Sequence, residues 1–226
     1  DQLAVDGVVV LATNGSGNAT VVNDAGLTLH AKTQTVCGNL TATATTGNIE
    51  DSGTGLTIAG TSSFTTSTNN ADIILDDTGH AFTGAVTLNT SGSTGNATID
   101  NGTTALNIAA SSVGGNLTLT SGAAAGITDS GTLTVGGNLA ATTDANNGLI
   151  NLGTLAVDGT VALTTNGSGN ATVVNDAGLT FSVSTVGGNL SATATTGNMT
   201  DSGALTIAGT SSFTTSANNA DITLNN

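Results

Sequence analysis

Val113-Gly114-Gly115-Asn116-Leu117-Thr118-Leu119-Thr120 is answered 22 residues later by Val135-Gly136-Gly137-Asn138-Leu139-Ala140-Ala141-Thr142. Apolar or small side chains fill every second position after the glycine, the period of a β-strand with one buried face. A strand phrase returning after some twenty residues is too closely spaced for separate domains. It is the repeat of a solenoid, in which each coil stacks on the last.

Outward from that pair, a glycine leads a similar phrase at Gly7, Gly38, Gly60, Gly84, Gly115, Gly137, Gly159, Gly188 and Gly209. By subtraction the starts lie 31, 22, 24, 31, 22, 22, 29 and 21 residues apart. Long, short, short: the spacing groups the rungs in threes, as super-repeats of about 7–83, 84–158 and 159–226 within one continuous segment. Asn18-Ala19-Thr20-Val21-Val22-Asn23 returns as Asn170 to Asn175, and the middle copy keeps Gly95-Asn96-Ala97-Thr98. Asp51-Ser52-Gly53, Asp129-Ser130-Gly131 and Asp201-Ser202-Gly203 also correspond.

One rung can be folded from Gly159. A strand over Thr160 to Thr165 meets an Asn166-Gly167-Ser168-Gly169 turn, then a strand over about Asn170 to Asn175 meets Asp176-Ala177-Gly178. A third strand spans Leu179 to Val186. Three strands per turn, each stacked on its equivalents, make an all-β, right-handed parallel β-helix of about nine turns, since parallel crossovers favour that hand. Alternation points Val9, Leu11, Leu40, Phe64, Val86 and Leu88 inward, with Leu205, Ile207, Phe213, Ile222 and Leu224 near the end. Phe82 and Phe181 belong to the same core. A rung burying so few side chains, about 1.5–3 kcal/mol each, is stable only when stacked.

Asn39, Asn116, Asn138 and Asn189 follow the leading glycine in four rungs, where stacked amides can form a ladder. Asn18, Asn39, Asn96, Asn116, Asn170 and Asn189 also lie in Asn-X-Ser/Thr triplets, which so threonine-rich a chain produces by chance.

The chemistry of catalysis is missing from the pattern. The outward positions Thr41, Thr43, Ser63, Thr65, Thr118, Thr120, Thr142, Thr164, Thr193 and Thr214 form a row without a carboxylate, so a pair for glycoside hydrolysis has no place there. His30 and His80 read as surface or turn residues, with no metal-ligand spacing around them. Cys37 replaces the glycine found at Gly114 and Gly187 and reads as a turn residue, with no cysteine to pair with. No catalytic, cofactor-binding or metal-binding residue is assigned, and no cofactor is expected. The outward threonines carry one minor alternative, an ice-binding face.

Fifteen acidic residues face one cation, Lys32, for a net charge of −14. Counterion release on nucleic acid needs lysine and arginine, and anionic membranes attract the same side chains, so neither is an expected partner. Nor is any apolar run long enough to cross a bilayer.

Ser112-Val113-Gly114-Gly115-Asn116-Leu117-Thr118-Leu119, Ile127-Thr128-Asp129-Ser130-Gly131-Thr132-Leu133-Thr134-Val135-Gly136-Gly137-Asn138 and Phe82-Thr83-Gly84-Ala85-Val86-Thr87-Leu88 resemble the repeat region of filamentous-haemagglutinin-like bacterial adhesins. That resemblance implies an exported β-helical shaft at the bacterial surface, two-partner or autotransporter secretion, and a role in adhesion, biofilm or matrix. Its implied partners are host or neighbouring-cell glycans or proteins. The tail, Asn225-Asn226, is in phase with Asp76-Asp77, and the head, Asp1 to Gly7, matches the phrase that follows them. The expectation is therefore a piece of a longer array, or the subunit of a filament whose copies stack head to tail.

Overall fold

The structure, a computed structural model, describes residues 2–31, 35–144 and 147–226; Asp1 and the single cation Lys32 lie outside them. The described residues contain strands and turns and no helix. Every strand pairing among them is parallel. The chain is a parallel β-solenoid with two broad sheets and one short one.

Sheet A begins with Ala19–Asn23, Leu40–Ala44, Ser62–Asn69 and Val86–Ser91 and ends with Ala171–Asn175, Leu190–Ala194 and Ser211–Thr215. Sheet B begins with Val8–Val9, Leu27–Ala31, Ile49–Gly53 and Ile73–Leu75 and ends with Leu179–Phe181, Met199–Asp201 and Ile222–Thr223. Eleven strands follow one another along sheet B, which is ten steps and so about ten turns rather than nine. Among the described residues sheet C holds Thr35–Val36, Thr57–Ile58 and Ala81–Phe82.

The extra turn comes from the long spacings. One circuit takes 19 to 24 residues: Ala171 pairs Leu190, Val8 pairs Thr28, Leu27 pairs Ile49, Ile49 pairs Ile73 and Leu117 pairs Leu139. A spacing of 29 or 31 overshoots a circuit by nearly half. The long rung from Gly159 is thus not one turn, because its third segment lies on its own first strand, with Thr160 opposite Thr180 and Thr164 opposite Thr185. That segment is also split, into Leu179–Phe181 and Ser184–Val186.

The phrases therefore change sheets. Those from Gly38, Gly60 and Gly84 stack in sheet A; those from Gly115, Gly137 and Gly159 stack in sheet B; those from Gly188 and Gly209 return to A. The expected single row of outward threonines is divided accordingly. Thr41 and Thr43 face Ser63 and Thr65 on one sheet, whereas Thr120, Thr142 and Thr164 line up on the other.

Inside, one apolar core runs continuously from Val21 to Met199, with Phe64, Phe82 and Phe181 fully buried. Phe64 meets Phe82 edge-on, with ring centroids 5.7 Å apart. Val9, Leu11, Leu205, Ile207, Phe213 and Leu224 are only partly buried, and Ile222 is 45% exposed. The cause is the stacking itself: inner side chains are covered by the turns on either side, and these residues occupy the first and last described turns.

Candidate functional site

The repeated groups converge on the turns. The leading glycines form three stacks, in which Gly60 N–H donates to Gly38 O (2.9 Å), Gly137 N–H to Gly115 O (2.9 Å), Gly159 N–H to Gly137 O (3.0 Å) and Gly209 N–H to Gly188 O (2.9 Å). None of the nine has a positive φ. Close approach is what demands glycine there: a Cβ on Gly137 would lie 2.5 Å from Asn116 Oδ1 and 2.8 Å from the Gly115 carbonyl. Gly7 stands apart, since a Cβ there meets nothing within 4 Å.

The asparagines after those glycines form a ladder, with a backbone donor in place of the second amide. Asn96 Oδ1 accepts from Asn116 N–H, Asn116 Oδ1 from Asn138 N–H and Asn138 Oδ1 from Thr160 N–H, each at 2.8 Å. Asn18 accepts from Asn39 N–H (2.7 Å), and Asn39 from Thr61 N–H (2.9 Å). In the third block Asn170 accepts from Asn189 N–H (2.7 Å) and Asn189 from Thr210 N–H (2.8 Å). The amide and the glycine are one device: the oxygen occupies the space that the next glycine leaves open.

A second set of asparagines lies inside. Asn23, Asn101 and Asn175 are buried. Asn101 Oδ1 accepts from Phe82 N–H (2.8 Å), and its Nδ2 donates to Phe82 O (3.1 Å) and Ala105 O (2.8 Å). Asn175 treats Val157 and Gly178 O in the same way, and Asn23 treats Val5 and Gly26 O. Each side-chain amide pairs with both backbone groups of one residue, as a neighbouring strand would. Sequence reasoning passed over these three; the recurring Asn-Ala-Thr-X-X-Asn spacing was the available signal.

Threonine and aspartate complete the turns. Thr13, Thr90 and Thr165 donate to Gly17 O, Gly95 O and Gly169 O and accept from the backbone N–H of Cys37, Gly114 and Gly187. Cys37 thus keeps the backbone contact of the glycine it replaces, and its Sγ lies 3.1 Å from Thr13 O. Asp129 accepts from Gly153 N–H (3.0 Å) and Thr154 N–H (2.7 Å), and Asp201 from Asn225 and Asn226 N–H (3.0 Å each). The Asn225 amide, then Asn226, holds the Asp201 carboxyl below the usual aspartate range.

Asp51, the first-copy equivalent, accepts from Asp76 N–H (3.2 Å) and turns its other oxygen to His80 Nε2 at 3.4 Å. His80 closes a turn through its backbone N–H to Asp77 O (3.2 Å) but is buried, which corrects the surface half of its reading as a surface or turn residue. Its Nδ1 accepts from Leu56 N–H (2.7 Å), and its ring stacks on Phe82 at 5.0 Å. It sits where the other copies have Leu3 and Leu155, so it substitutes for an apolar filler. His30 Nδ1 lies 3.0 Å from Ser52 Oγ.

Among the described residues no three histidine, cysteine or acidic side chains come together as a metal set. Gly7 apart, the glycines and asparagines singled out from the sequence come together as structural stacks.

The chain matches a family described as repeats of unknown function (DUF5649) over residues 16–89, 94–148 and 168–226, and it belongs to that family. Each matched stretch begins one residue before Gly17, Gly95 or Gly169, whose carbonyls lie against the first glycine of each stack, Gly38, Gly115 and Gly188. No curated protein and no solved structure matches the chain.

Proposed function

We propose that this chain is the structural shaft of an extracellular adhesin or surface fibre, serving attachment, biofilm or matrix without catalysis. The observation that carries this reading is the continuous core and the turn-to-turn bonding of repeated glycine, asparagine and aspartate. Both build length from a short unit, and neither gathers reactive groups. The resemblance of the phrases Ser112 to Leu119 and Ile127 to Asn138 to filamentous-haemagglutinin-like repeats supports a bacterial cell-surface location. Partners on this reading are neighbouring repeats end to end and host or neighbouring-cell glycans or proteins.

The test is surface display. One, two or three tandem copies fused to an outer-surface anchor on a non-adherent bacterium should extend a terminal epitope further from the cell with each copy. Attachment to host cells or to neighbouring bacteria should rise above the anchor alone. Equal attachment by anchor-only and displaying cells would remove adhesion from the reading, and a reach independent of copy number would remove the shaft.

A further inference from the structure

Three observations coincide at the long spacings. The glycine-led phrase leaves one broad sheet and resumes on the other. A minor column of strands ends there: Thr35–Val36, Thr57–Ile58 and Ala81–Phe82 in the first case, Ser111–Val113, Leu133–Val135 and the end of Ile150–Val157 in the second. A buried asparagine closes that column, Asn101 on Phe82 and Asn175 on Val157. Asn23 makes the same contacts with Val5.

We propose that each super-repeat is a half-turn indexing module. The buried asparagine closes the outgoing column, and the next block of glycine-led phrases is thereby set on the opposite face. The physical argument is satisfaction of the backbone. A column that stops inside the stack strands an N–H and a C=O away from water, and an unmade bond of that kind costs about 1–3 kcal/mol. One carboxamide supplies both a donor and an acceptor in the geometry of a peptide group. A strand there would instead continue the column and keep the phrase in place. The shaft consequently offers the same hydroxyl-bearing phrase on its two sides in alternation, displaced by three and a half turns, ~17 Å at ~4.8 Å per turn. A partner that binds the phrase can then be bridged through both faces.

Disulfide mapping in a Cys37→Ser background tests the placement. Thr98 and Thr118 are direct partners in sheet B, and Thr43 and Thr65 in sheet A. Thr87 and Thr118 are neighbours only if the Gly84 and Gly115 phrases stack on one face. Adjacent parallel strands satisfy the Cα separation of about 4.4–6.8 Å that a disulfide requires. The cysteine pairs at 98/118 and 43/65 should oxidise readily, and 87/118 should not. Asn101→Ala should raise hydrogen exchange at Phe82 N–H at least tenfold and lower the 98/118 yield several-fold, leaving 43/65 unchanged.

Efficient 87/118 crosslinking would overturn the half-turn. Unchanged Phe82 exchange and 98/118 yield in Asn101→Ala would overturn the role of the asparagine. The mapping in the parent needs no core substitution and stays decisive if Asn101→Ala does not fold. These readouts report phase, so they stand or fall independently of adhesion.

Discussion

At Gly137 the space for a side chain is already taken by Asn116 Oδ1 and the Gly115 carbonyl, both on the adjacent turn. Gly137→Ala must push one backbone off another, which overpacking data place at about 1–3 kcal/mol. Gly7→Ala, with open space around it, should stay within about 0.5 kcal/mol. Paired urea or thermal melts of the two variants check both values. A further test at this scale uses charge. Burial, opposed by the Gly102 N–H, pushes the Asp100 carboxyl above its ordinary 3.8, with Asp144 adding to the rise. A raised folded value means that ionisation favours unfolding, so the penalty is present above that value and relieved as pH falls towards 3.8. Asp100→Asn should therefore be more stable than the parent at pH 7, with the gap closing towards pH 4. For Asp201 the sign is opposite: its contribution is present above the ordinary value and lost as pH falls through the depressed one. Individual side chains were unevenly legible in sequence. Alternation placed Val86, Leu88 and Phe181 inside correctly, because a period of two leaves one choice once a single inward residue is known. It could not assign His80, whose burial depends on Leu56 N–H and Asp51, residues 24 and 29 positions away.

Strands here hold together by parallel pairing and by what they bury, and sheet C shows how little pairing is sufficient when the filling is large. Ala81–Phe82 is two residues long, yet Phe82 is buried between Phe64, His80 and the Asn101 amide. Phe82→Ala should cost about 3–5 kcal/mol, the range for emptying an aromatic site, and should loosen the 76–83 turn first in hydrogen exchange. At the level of elements strand type and three strands per turn were legible in the sequence, as Leu40–Ala44, Ile49–Gly53 and Thr57–Ile58 show in one turn. The long rung is the exception, because its spacing exceeds one circumference. The information was present as arithmetic: 31 residues do not fit a circuit of 22. What fixes the answer is the pairing of Thr160 with Thr180, a contact that periodicity does not report.

Because the core is a continuous column with no central knot of packing, length scales with residues as in a rod. Ten turns at ~4.8 Å give a stack ~48 Å long. Deleting residues 95–168 joins Thr94 to Gly169, the counterpart of Gly95, and should leave a folded shaft shorter by three and a half turns, ~17 Å. Small-angle scattering on the parent and the deletion measures both lengths, and a change in radius without a change in length would contradict the stack. Local damage should also remain local, since each turn touches only its neighbours. The Asn101 contact with Phe82 carries one more consequence, a rule of parity. If each copy inverts the side on which the next is presented, gain or loss of one copy turns everything beyond it to face the other way. Two copies restore the original aspect, so the count of copies, odd or even, becomes a property on which selection can act.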